Sequence, residues 1–143
     1  MFKKILLPID LEHTEVAGQA IKLALEEAER SDAKLYVMTV APGFGMPLVA
    51  SFFDDSTVKK AMKEIARHLD KFVKQTIPQK FHAKNIVTEG NPPEQILKQA
   101  KAHDIDLIVI TSHDSEMEQM LLGSCSAKVV RHSECSVLVV KNR

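Results

Sequence analysis

Two runs in the last third of the chain, Leu107-Ile108-Val109-Ile110 and Val137-Leu138-Val139-Val140, are apolar at every position. A strand with one face in water alternates apolar and polar residues. A run with no polar member suits a strand covered on both faces, the condition of a parallel sheet held between two helical layers. The remaining sequence supplies those layers. Residues 3–10 read as an apolar strand with a charged start, and residues 14–30 carry Val16, Ala20, Leu23, Ala24 and Ala28 on one helical stripe. A second strand covers residues 34–41, and Ser56-Thr57 opens a helix to about Gln75 with Ala61, Ile65, Leu69, Phe72 and Val73 inward. A third strand over 81–89 ends at Gly90, and Pro92-Pro93 starts a helix through Ala102, since proline suits a first turn. Residues 106–112, 124–132 and 136–141 complete the pattern as strand, helix and strand.

Five strands separated by four helical connections predict an α/β fold. It is a doubly wound five-stranded parallel sheet with helices on both faces. Right-handed crossovers and a reversal of winding after strand 1 give the order 3-2-1-4-5. At 143 residues the chain reads as a single domain, 1–143, long enough to bury a core. Residues 42–55, rich in Gly, Pro and Phe, interrupt the alternation as a long excursion, not as a linker between domains.

Composition narrows the function. Lys plus Arg and Asp plus Glu both number 19, and that balance, with its even spread, argues against a nucleic-acid groove or a membrane-binding face. No run approaches the ~18 apolar residues of a membrane span, and the apolar start of the chain stops at Pro8 and Asp10, which argues against a signal peptide. Two cysteines, Cys125 and Cys135, show no disulfide framework, so a reducing cytoplasm is the expected setting.

In a sheet of this order the ligand crevice lies at the carboxyl ends of the strands, at the switch point between strands 1 and 4. Asp10, Val40 and Thr111 sit at the ends of strands 1, 2 and 4, and the stretch Leu121-Leu122-Gly123-Ser124-Cys125-Ser126 arrives there from the fourth. Glycine followed by hydroxyls at a helix start leaves free N–H groups at the positive end of a helix dipole, which suits a phosphate. The same residues have a plainer use: Ser124 is a good N-cap, and Asp10 caps a turn equally well. His13, His113 and His132 have no ligand spacing for a metal, and Cys125 reads as a small buried filler. No Ser/His/Asp set forms a triad, so no catalytic residue is assigned.

The opening Lys-Lys-Ile-Leu-Leu-Pro-Ile-Asp, the Glu89-Gly90-Asn91-Pro92-Pro93 turn, and the ending Leu-Leu-Gly-Ser … Val-Val-Arg-His-Ser-Glu-Cys-Ser-Val-Leu-Val-Val closely resemble the universal stress proteins. The resemblance covers essentially the whole chain. Small members of that family are cytoplasmic dimers, and one branch binds ATP through Gly-x-x-Gly, a short spacer, and Gly-Ser or Gly-Thr. An aspartate after strand 1 and a valine ending strand 2 hold the adenosine.

Carried over, the resemblance assigns Asp10 and Val40 to the adenosine and Gly123, Ser124 and Ser126 to the phosphates, with Thr111, His113 and Cys125 alongside. Ser112-His113 agrees with the short-spacer members, but Thr111 and Asp114 stand where the two glycines of the pattern belong. A carboxylate at Asp114 repels phosphate unless a cation bridges them, so magnesium is expected only together with nucleotide.

The resemblance thus implies a cytoplasmic regulator or sensor of stress that binds ATP or another adenine nucleotide. At most it would hydrolyse ATP slowly and incidentally. A nucleotide-free dimeric interaction module of the same family is the alternative. A phosphorylatable receiver is disfavoured because strand 3 ends Thr88-Glu89-Gly90, without the aspartate such a module phosphorylates. Homodimerisation is expected through strand 5, at Val137, Leu138 and Val139, where a short apolar edge invites a second chain. A protein partner, unnamed by the sequence, is expected; nucleic acid and membrane insertion are not.

Overall fold

The computed structural model describes residues 1–41, 54–112 and 123–141. Its five strands are β1 (Lys4–Pro8), β2 (Lys34–Ala41), β3 (His82–Glu89), β4 (Leu107–Ser112) and β5 (Ser136–Lys141). They form one sheet in the order β3-β2-β1-β4-β5, with every pairing parallel. The connections are α1 (Gly18–Ser31), α2 (Asp55–Thr76), α3 (Pro92–Ala102) and α4 (Ser124–His132), with 3-10 turns at Leu11–Val16 and Gln79–Phe81. This is the architecture expected from the alternation of periods.

Alternate residues of β1, β2 and β4 enter two separate cores. Ile5, Leu7, Leu35, Val37, Leu107 and Val109 point to one face, where Ala20, Ala24 and Ala28 of α1 and Leu69 and Val73 of α2 cover them. Leu6, Met38, Ile86, Ile108 and Ile110 point to the other, under Ile96 and Ala100 of α3 and Val129 of α4. Both faces are dry, so neither can carry the polar half of an alternating pattern.

Three local readings needed correction. Residues 14–30 do not form one helix: a 3-10 stretch, Leu11–Val16, kinked at His13 (φ −136°, ψ 52°), ends at Val16, and α1 starts at Gly18 after Ala17. Leu23 is 37% exposed; the sheet-facing stripe is centred on Ala20, Ala24 and Ala28, with Ile21 buried beside them. Ser124 is not the N-cap of α4. That position belongs to Gly123, which has no side chain with which to cap, whereas α2 and α3 are capped by the side chains of Asp54 and Asn91. Residues 42–53 of the excursion, and His113 and Asp114, lie outside the described residues.

At the other end of the sheet, Asp106 ties the start of β1 to β4. Its two carboxylate oxygens accept from the backbone N–H of Lys3 (2.9 Å) and Lys4 (3.1 Å).

Candidate functional site

The carboxyl ends of β1, β2 and β4 and the start of α4 border a cleft of about 450 Å³ at the switch point. It is lined by Asp10, Val40, Thr111, Cys125 and Ser126, five of the residues singled out by sequence. Winding reverses at β1, so the chain leaves β1 and β4 toward opposite faces and their loops part above the sheet.

Asp10 serves both uses considered for it. It faces the cleft, and it caps the 3-10 turn that follows. Its Oδ1 accepts from the Glu12 N–H at 3.0 Å, while Oδ2 lies 3.0 Å from His13 Nδ1. The hydrogen bond and negative charge of Asp10 raise the His13 pKa above its ordinary 6.5. Asp10, Glu12 and His13 each place one potential metal-ligand atom within 4.8 Å of the others, though all three side chains are exposed. Helix spacing could not show this cluster, because a 3-10 turn brings the three together.

The start of α4 forms the opposite wall. Gly123 is buried, and its N–H donates to Ser112 Oγ at 3.2 Å, so this group has a partner inside the protein. Ser124 is exposed at the first helical position. Cys125 is half-buried against the α3/α4-side core, consistent with a filler, and also reaches the cleft. Ser126 is 2% exposed and lines the cleft, yet its hydroxyl makes no hydrogen bond among the described residues. The hydroxyl is not sealed off from the cleft, so it is placed to bond a ligand there.

Sequence reading missed several walls of the cleft. Pro92, Ile96 and Ile110 come up from the α3 side, and Thr39, Ile65 and His68 come from β2 and α2. Ile65 read as ordinary core and His68 lay off the apolar stripe of α2. Only packing of α2 against β2 and β3 brings Ile65 and His68 to the mouth.

The pattern of the universal stress protein family matches residues 1–141. The chain belongs to that family. This universal stress protein is 32% identical over 148 residues to Universal stress protein MJ0531 of Methanocaldococcus jannaschii, covering 99% of this chain and 83% of the relative. It is 30% identical over 157 residues to Universal stress protein MJ0577 of the same organism, covering 100% and 97%. The solved structure of MJ0577 superposes with a TM-score of 0.80 at 27% identity, covering 100% of this chain and 98% of that one. A universal stress protein from Archaeoglobus fulgidus, solved in complex with dAMP, shares the fold at a TM-score of 0.65 and 21% identity, each chain 98% covered.

Proposed function

We propose that this universal stress protein binds an adenine nucleotide, ATP or a shorter relative, in the cleft between β1 and β4, and acts as a regulator or sensor in a stress response through its nucleotide state. The observation that carries this reading is the hydroxyl of the buried residue Ser126, open to the cleft and without a partner among the described residues, at the start of a helix whose N-cap has no side chain. Phosphate oxygens supply the acceptors that such a helix start lacks, and the helix dipole favours their charge. Asp10 and Val40, across the cleft, suit the ribose and the base. Gly123 would contribute room, since its N–H is bonded to Ser112. That the Archaeoglobus fulgidus protein of the same fold holds dAMP supports the class of ligand.

The protein works by occupancy, not turnover, and its setting is the cytoplasm. Among the described residues no helix is long and apolar enough to cross a membrane, and Cys125 and Cys135 form no disulfide. Magnesium would arrive with the phosphates.

Titration calorimetry with ATP, ADP and AMP, with and without magnesium, tests the reading. Binding of at least one nucleotide is expected, weakened roughly tenfold by Ser126→Val through loss of a charge-assisted hydrogen bond. Asp114→Gly is expected to tighten ATP more than AMP, because it removes a charge that repels each added phosphate. No heat from any nucleotide at millimolar concentration, in wild type and Asp114→Gly alike, would leave the nucleotide-free interaction module.

One observation favours assembly whether or not the cleft is filled. β5 is an edge strand, and Leu138 on it is 40% exposed. A second chain pairing with β5 about a two-fold axis covers that edge at Val137, Leu138 and Val139.

A further inference from the structure

A second cavity, of about 410 Å³, lies between the ends of α3 and α4 and shares no lining residue with the nucleotide cleft. Both helices start at the cleft, where Pro92 and Ser126 line it, and finish at this cavity, lined by Lys101 and His132. Its volume falls within the roughly 300–1,000 Å³ of small-molecule sites. Leu97, Ala100 and Ile105 supply an apolar wall. Lys101 and His132 bring basic groups to it, and Asp104 and Glu134 bring carboxylates. These four side chains are exposed and make no salt bridge or side-chain hydrogen bond among the described residues. Charges of both signs therefore border one cavity without neutralising each other. Cys135 is the reactive group among them, half-buried and outside any disulfide. Ser133 Oγ accepts from the Cys135 N–H at 3.1 Å and lies 2.9 Å from the Cys135 carbonyl oxygen and 3.3 Å from Sγ. Its single proton serves the carbonyl while the sulfur is a thiol, and can turn to the sulfur once that is a thiolate.

We propose that this cavity is a thiol-exchange site, where Cys135 is modified by the disulfide of a small zwitterionic amino-acid thiol. The match is chemical. An ammonium group pairs with Asp104 and Glu134, a carboxylate pairs with Lys101 and His132, and the methylene next to sulfur packs on Leu97 and Ile105. In the exchange the Cys135 thiol gives its proton to water, and the thiolate attacks the nearer sulfur of the disulfide. A new Sγ–S bond forms as the old S–S bond breaks. The electron pair of the broken bond leaves on the far sulfur, which takes a proton from water. Cys135 is thereby oxidised and the departing half reduced, so the disulfide itself is the oxidant. Ser133 is a positioning residue, since its hydroxyl bonds both the backbone N–H and the sulfur of Cys135. None of these residues is assigned to the nucleotide, so a protein with an empty cleft would carry the site equally.

The probes are cystine, which is zwitterionic at each end, and hydroxyethyl disulfide, which is neutral. Each is reacted with the full chain, folded and unfolded in urea, and peptide mass mapping follows the mixed disulfide at Cys135 and at Cys125. Rates in the unfolded chain remove the intrinsic difference in reactivity between the two disulfides. On that scale cystine is expected to modify folded Cys135 roughly tenfold faster than hydroxyethyl disulfide does, the value of one charge-assisted contact. Lys101→Ala and Glu134→Ala should each cut this preference severalfold. Ser133→Ala should slow both disulfides alike, and Ser133→Thr, which keeps the hydroxyl, should restore the rate. No preference for cystine at folded Cys135, a preference that survives both charge substitutions, or the same preference at Cys125 overturns the proposal.

Discussion

Oδ2 of Asp10 lies 3.0 Å from Nδ1 of His13, and the pair stands at the lip of the cleft. Because the carboxylate favours the imidazolium, the His13 pKa is raised in the folded chain. A group whose folded pKa exceeds its unfolded value stabilises the fold fully below the unfolded value and loses that contribution as pH rises through the folded one. The contribution is small, since both side chains are substantially exposed. NMR titration should place His13 above 6.5 in wild type, and Asp10→Asn should bring it back toward that value. An unmoved titration in Asp10→Asn would mean that the contact does not persist in solution.

Asp106 should matter to stability without touching the cleft. Asp106→Ala leaves the backbone N–H groups of Lys3 and Lys4 without their carboxylate acceptor. The expected loss is about 1–2 kcal/mol in urea unfolding, with Asp106→Asn intermediate, since the amide retains one acceptor. Nucleotide affinity should not change.

Gly90 has φ of +121°, a region that side chains with a Cβ rarely occupy. An added Cβ would meet only the Gln95 side chain at ordinary contact distance, so the cost of Gly90→Ala is conformational. A drop of about 1–3 kcal/mol in unfolding free energy is expected. Gly18→Ala is the control: a Cβ there meets nothing within 4 Å on an α-helix, and stability should hold or rise slightly.

Leu138 tests the edge of the sheet. Light scattering of the wild type should report twice the 16.0 kDa chain mass. Leu138→Lys, which puts a charge on the exposed part of β5, should shift it to the monomer with the fold intact by circular dichroism. A monomeric wild type at micromolar concentration would remove this assembly.

The topology was legible because it depends on patterns that a sequence displays directly. The uninterrupted apolar run at residues 107–110 demands two covered faces, and the helical stripes between strands supply the cover; the run at 137–140 forms an edge strand on which Leu138 stays 40% exposed. Asp10, Val40, Thr111, Cys125 and Ser126 were legible as a group for a related reason. Winding order alone puts strand ends 1, 2 and 4 and the next helix start on one rim. Less visible were the features that depend on a single residue's conformation. The kink at His13 and the shift of the α4 cap from Ser124 to Gly123 follow from backbone angles and loop closure, and composition carries little of either.

By itself, then, the sequence determined the sheet order, the two cores and the rim on which a ligand would sit, because periodicity and chain connectivity are local properties that sum to a topology. Tertiary structure decided which neighbours each polar group acquired. His68 meets the cleft because α2 packs on β2 and β3, and Ser112 takes the Gly123 N–H because β4 and α4 converge. Thr39 and Ser126 are buried beside open space, without a hydrogen-bond partner among the described residues. Whether a hydroxyl is satisfied depends on residues distant in the chain, and only packing brings those within hydrogen-bonding reach.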